Sequence, residues 1–170
     1  EGGNLVEGIT STIAFKAVDE NGEAVDCNGT VVNRDNDVIA KFQSLKYGMG
    51  SFRLTPKAGE IYKAVLKLSD TTIIKQLPPA YKQGFVMHTE NEDAAHLKIS
   101  ISTNTNDNIV YLLIHSQNVL KDFQQINLSN GEAVFIADKS KLADGISTIT
   151  LFNSNKQPVC ERWDFKRPVT

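Results

Sequence analysis

Apolar and polar residues alternate in short runs along most of the chain. Ile13, Phe15 and Ala17 alternate with Thr12, Ala14 and Lys16. Val38, Ala40 and Phe42 alternate with Ile39, Lys41 and Gln43, and Phe52 and Leu54 with Ser51, Arg53 and Thr55. Tyr62, Ala64, Leu66 and Leu68 alternate with Lys63, Val65 and Lys67, and Leu97, Ile99 and Ile101 with Lys98, Ser100 and Ser102. A period of two places alternate side chains on opposite faces, the pattern of a half-buried strand. The runs recur every ~8–12 residues with turn chemistry between them, which predicts an all-β sandwich or barrel. No long stretch repeats apolar residues at helical spacing. Asp138–Leu142 has room for one short turn, and residues 116–122 fit either helix or strand.

The turns are explicit. Asn21-Gly22 sits between two strand-like runs, and Asn130-Gly131 closes another turn. Residues 152–159, Phe-Asn-Ser-Asn-Lys-Gln-Pro-Val, have the same shape. Pro78 and Pro79 cannot donate backbone hydrogen bonds and interrupt a ladder. The polar stretch Thr89-Glu-Asn-Glu-Asp-Ala94 divides the chain near its middle. This predicts two domains, 1–91 and 92–170, each an immunoglobulin-like β-sandwich of about seven strands. The chain opens on Glu1 without Met and closes on Thr170, and both ends read as cuts through a longer polypeptide.

Composition narrows the partners. The 170 residues carry a formal charge of -2, with no basic excess of the kind nucleic acid requires. The longest apolar run, Ile109–Ile114, has strand length, far from the ~20 residues of a membrane span. That run is apolar on both faces. One face meets the core, and the other, with Ile109, Tyr111 and Leu113, is expected to be covered by a neighbouring domain. Cys27 and Cys160 are far apart, lack any zinc or CxxC spacing, and read as free thiols.

The stretch Gly48-Met-Gly-Ser-Phe-Arg-Leu-Thr-Pro-Lys-Ala-Gly59 has the glycine density of a phosphate loop. A dinucleotide fingerprint needs a third glycine where Arg53 stands, and a helix after it. Alternation continues instead, so the stretch reads as a strand-to-strand corner. Pro56 ends one strand, Gly59 turns the chain, and Tyr62 opens the next strand with its hydroxyl expected to return to the backbone.

Other candidates are weaker. His88, Glu90, Glu92 and His96 read as a solvated linker in preference to a metal site, which needs converging ligands. Asn33–Asp37 and Asn104–Asn108 are oxygen-rich but lack the Gly and Glu of a calcium loop, and Asn and Asp favour plain turns. Ser147 lacks the context of a nucleophile elbow. No pattern calls for a cofactor or a catalytic residue. On the last strand Val159, Glu161, Trp163 and Phe165 share a face opposite Cys160, Arg162 and Asp164. The more apolar face is read as core. That buries Trp163 and requires a structural tie from Glu161 to a Lys, an Arg or a backbone amide.

The patches Glu1-Gly-Gly-Asn-Leu-Val-Glu-Gly8, Ile13–Ala17, Asp19–Gly22, Tyr47–Phe52, Pro56–Tyr62, Asp144–Phe152 and Pro158–Trp163 together resemble macroglobulin-like β-sandwich domains. The likeness is to those of large Bacteroides-type envelope proteins, some with a TonB-receptor plug-like domain. The resemblance implies tandem seven-stranded sandwiches in an exported protein of the periplasm or cell surface. It implies no catalytic residues in these modules. The Cys-Gly-Glu-Gln thioester motif of full macroglobulins is missing: Asn28 follows Cys27, and Glu161 follows Cys160. The expected partners are neighbouring domains, with another envelope protein or a glycan beyond them. The expected role is a structural spacer and protein-interaction module, with carbohydrate binding as the alternative. Asp70-Thr71-Thr72 resembles the short O-glycosylation signal of such exported proteins, with Thr71 as acceptor, though a plain turn is favoured.

Overall fold

Each alternating run forms a strand. The computed structural model describes residues 2–68 and 71–168, so Asp70 of the glycosylation signal lies outside the described residues. The strands are β1 (Gly2–Gly3), β2 (Ser11–Lys16), β3 (Asn28–Val32), β4 (Val38–Gln43), β5 (Met49–Leu54), β6 (Lys63–Lys67) and β7 (Thr72–Gln76). They continue as β8 (Phe85–Asn91), β9 (His96–Thr103), β10 (Ile109–Ser116), β11 (Val119–Asn127), β12 (Glu132–Asp138), β13 (Gly145–Phe152) and β14 (Pro158–Lys166). The short turn expected after Asp138 is a 3-10 turn at Lys139–Lys141, capped by the Asp138 carboxylate accepting from Ser140 N–H. Residues 116–122 resolve as a hairpin, with Gln117 and Asn118 at positive φ between β10 and β11.

The chain forms two compact units. One is residues 2–4 together with 83–168, and the other is Leu5–Lys82. The first packs a β1-β8-β9-β12 sheet and a β11-β10-β13-β14 sheet face to face, the arrangement of a β-sandwich. Its core draws Leu97, Ile99 and Ile101 from β9, Leu112 and Ile114 from β10, and Ile149 from β13. These are alternate residues, as period-two burial requires.

Leu5–Lys82 has a β4-β3-β6-β7 sheet and a β2-β5 pair. Val31, Phe42, Phe52, Leu54 and Tyr62 form its core. Phe42 holds it together by edge contact with Phe15 (centroids 4.9 Å apart) and tilted contact with Phe52 (5.5 Å).

Two differences from expectation have simple causes. The division falls between Lys82 and Gln83 rather than at 91/92, because β8 pairs along its whole length with β9 and joins that core. Strands are also shared unevenly. Residues 5–9 do not pair with β2. They run beside Tyr81, where Tyr81 N–H donates to Leu5 O at 2.8 Å and Glu7 N–H to Tyr81 O at 2.9 Å. Among the described residues, Leu5–Lys82 therefore has β2 to β7 alone, whereas the other unit has β1 and β8 to β14.

Glycine decides how β1 seats. Gly3 has φ +100°, and a Cβ there would lie 2.4 Å from Phe85 O and 2.7 Å from Cys160 Sγ. Cys160 donates its thiol proton to Phe85 O at 3.4 Å, and burial pushes its pKa up to about 12. Thiolate is the reactive form. Cys160 is therefore expected to resist iodoacetamide at pH 8 in the native protein and to react on unfolding. Mass spectrometry of the alkylated chain checks this, and full native labelling would contradict it.

Candidate functional site

β10 buries Val110, Leu112 and Ile114 and turns Ile109, Tyr111, Leu113 and His115 outward. The register extends this outer face across the sheet. Leu113 lies opposite Phe123 of β11 and Thr150 of β13, and Thr150 lies opposite Glu161 of β14. Tyr111 lies opposite Phe152, Thr148 opposite Trp163, and Ile146 opposite Phe165. Tyr111 and Phe123 stack with centroids 6.1 Å apart and planes at 10°. They line a shallow depression of 490 Å³ with Leu113, Gln125, Phe152 and Lys156. Beyond it, Ile146, Trp163 and Phe165 stand exposed.

Trp163 is 68% exposed, which corrects its expected place in the core. A β-bulge explains the error. The β13–β14 register shifts between Leu151 and Phe152, so Leu151 pairs with Cys160 and Phe152 with Pro158, leaving Val159 over. Val159 and Cys160 therefore both pack on the core, and strict alternation from Val159 reads the rest of the strand backwards. The inward set is Cys160, Arg162, Asp164 and Lys166. Arg162 Nε donates to Thr89 Oγ1 at 2.7 Å, and Lys166 Nζ donates to Leu142 O at 2.9 Å. Polar tips at the sandwich rim thus fill positions that composition assigns to solvent.

Glu161 is exposed, and among the described residues its carboxylate has no hydrogen-bond or ion-pair partner. The expected structural tie is therefore not formed. Trp163→Ala is accordingly expected to lower stability by under about 0.5 kcal/mol, as for surface changes, where a core Trp would cost about 3–5 kcal/mol. Urea unfolding followed by circular dichroism distinguishes the two.

At the 56–62 corner, Lys57 N–H donates to the Tyr62 hydroxyl at 2.9 Å, and Tyr62 is 4% exposed. Gly59 turns the chain at φ +68°. Its N–H donates to a Glu7 carboxylate oxygen at 2.9 Å, and its carbonyl accepts from Arg34 Nη2 at 3.2 Å. Gly48, at φ +67°, lies where a Cβ would meet Ala17 O at 2.1 Å. Both glycines serve turns, with no phosphate-facing helix after them. Thr71 is exposed, and its carbonyl accepts from Leu68 N–H at 2.9 Å.

The other polar clusters are occupied by their own turns. Asn33 Oδ1 accepts from Asp37 N–H at 2.7 Å, and Asn33 Nδ2 donates to Asp37 Oδ2 at 3.1 Å. Asp107 accepts from the Ser154 backbone and hydroxyl and from Thr105 Oγ1, tying the 104–108 loop to the 153–157 turn. The Ser154 hydroxyl, its strongest partner, holds the Asp107 carboxyl below the usual range. Ser147 is fully buried and shares a 2.7 Å hydrogen bond with Ser116, a structural pair. Among the described residues no three His, Cys, Asp or Glu side chains are placed to hold a metal ion.

The His88–His96 cluster instead forms charge pairs. Glu90 accepts from Lys98 Nζ at 2.8 Å, and Asp93 Oδ2 pairs with His96 Nδ1 at 2.8 Å. Asp93 Oδ1 also accepts from the Ala95 and His96 N–H groups. The Asp93 hydrogen bond raises the His96 pKa, and the same bond lowers that of Asp93. The sign follows for each group. The His96 contribution is present below its ordinary value and is lost as pH rises through the raised pKa. The Asp93 contribution is lost as pH falls through the depressed one. An NMR titration is expected to place the His96 midpoint above the ordinary histidine value, and Asp93→Asn to bring it down. An unchanged midpoint in that variant would contradict the pairing.

Compared with models of known protein families and with curated proteins, the chain matches none.

Proposed function

We propose that the chain is a non-catalytic spacer and protein-contact module of a larger exported cell-envelope protein. The observation that carries this is the outer face of the β11-β10-β13-β14 sheet. Tyr111, Leu113 and Phe123 form one apolar cluster on this face, and Ile146, Trp163 and Phe165 form a second, with Thr148, Thr150 and Glu161 between them. Exposed apolar clusters rimmed by polar residues are characteristic of contact sites, and Trp and Tyr are enriched among the residues that dominate such contacts. The expected cover of Ile109, Tyr111 and Leu113 by a neighbour fits the same face.

The strand orders support an immunoglobulin-like, macroglobulin-type reading of both units. Each has a four-stranded sheet of the same connectivity, β4-β3-β6-β7 and β11-β10-β13-β14. In each, the corner before the third strand of that sheet is closed by a buried side chain, Tyr62 or Leu142. The envelope setting rests on the sequence resemblance.

Carbohydrate binding is the second reading, favoured by the exposure of Trp163 and Phe165. Aromatic faces stack on sugar rings, and β14 presents two of them. A photo-crosslinking residue at Phe123 or Trp163 separates the readings in native cells. Protein adducts from these sites, with few from Val134 on the other sheet, are the expected result. Glycan-array binding lost in Trp163→Ala, with no protein adduct, would replace the protein-contact reading by the carbohydrate one.

A further inference from the structure

The two units differ at one edge. In the unit containing β8, that strand covers the edge of β9, and β8 buries Phe85 and Met87 beneath it. β2 holds the matching place in Leu5–Lys82, pairing with β5 as β9 pairs with β12. Among the described residues no strand covers its other edge. Residues 5–9, which precede β2, are committed to Tyr81 instead.

The backbone groups at that edge can be named. Ala17 N–H donates to Gly48 O at 2.8 Å, continuing the β2–β5 register. Antiparallel pairing alternates, so Ser11, Ile13 and Phe15 bond to β5, and the N–H and C=O groups of Thr12, Ala14 and Lys16 point to the open edge. Ala14 and Lys16 are exposed.

The facing sheet shows the same gap. β14, the strand under β8, buries Cys160. β7 holds the matching place, and all five of its residues are exposed. Ile73 lies opposite Leu66 on the core side yet remains 45% exposed. One missing strand accounts both for the open backbone of β2 and for the uncovered Ile73.

Charge defines the occupant. The strands β2 to β7 carry Lys16, Lys41, Arg53, Lys63, Lys67 and Lys75, and no Asp or Glu. Lys16 and Arg53 lie on the outer side of the β2–β5 pair, opposite the core side of Ile13. We propose that the β2 edge is a strand-addition site for an extended acidic segment of a partner polypeptide. Its apolar side chains cover Ile73, and its alternate carboxylates meet Lys16 on the edge strand, with Arg53 one strand further in. Main-chain hydrogen bonds hold such an added strand, and alternate side chains give it specificity.

The test uses the 170-residue chain and a capped synthetic peptide of alternating Val and Glu, read by NMR titration and amide exchange. Saturable binding with new protection at Thr12, Ala14 and Lys16 is expected. Alternating Val-Lys peptide and a backbone N-methylated Val-Glu peptide should fail. Ala14→Pro removes an edge donor that the β2–β5 ladder does not use, and should abolish binding. Lys16→Glu, at an exposed site that leaves the fold intact, should weaken it about tenfold or more. Trp163→Glu should leave it unchanged, which separates this site from the aromatic face. No binding, or binding indifferent to both β2 variants, overturns the proposal. So does protection of the same amides by self-association without peptide, which would make the occupant a second copy.

Discussion

Tyr62→Ala is expected to destabilise the Leu5–Lys82 unit by about 3–5 kcal/mol, near the whole stability of a small domain. Tyr62 sits in the core with Val31, Phe42, Phe52 and Leu54, and few other large side chains are fully buried there. Its ring fills the corner, and its hydroxyl satisfies the Lys57 N–H. Tyr62→Phe keeps the ring and leaves that donor partly buried without an acceptor, at about 1–3 kcal/mol. Hydrogen exchange read by mass spectrometry should show the loss in peptides from β3 and β6. Equal effects from the Phe and Ala variants would contradict the separate roles of ring and hydroxyl.

Leu112→Ala is expected to cost about 2–5 kcal/mol, because Leu112 is 1% exposed in the other core. Its neighbour Leu113 points outward on the same strand, and Leu113→Ala should cost well under about 1 kcal/mol. The pair separates stability from contact. Leu112→Ala should lower the urea midpoint with little change at the outer face, whereas Leu113→Ala should spare the midpoint and reduce crosslinking from Phe123. Comparable loss of stability from both would show that β10 is buried on both sides.

Much of this was legible in the sequence, for physical reasons. Alternation at Leu97–Ile101 and Phe52–Leu54 reports burial directly because side-chain direction in a strand is fixed by position. The 56–62 corner was legible because Pro, Gly and Tyr each act there through their own local chemistry. β14 was misread because a bulge is a tertiary feature. One extra residue at Val159 reverses the faces, and nothing in Pro158-Val-Cys-Glu-Arg-Trp163 marks it. The aromatic face was half visible, since Ile109–Ile114 shows two apolar sides but not its alignment with Phe123 and Trp163. The role of Gly2 and Gly3 depends on a pairing more than eighty residues away in the chain, with Val86 and Met87, which no local pattern encodes.

The contact-module account is tested most directly by hydroxyl-radical footprinting of the isolated chain and of the same protein in the cells that produce it. Tyr111, Phe123 and Trp163 should oxidise readily in the isolated chain and be protected in the cells. Val134 and Ile136, exposed on β12, serve as references that should change little. Equal oxidation of the aromatic face in both settings would contradict the account.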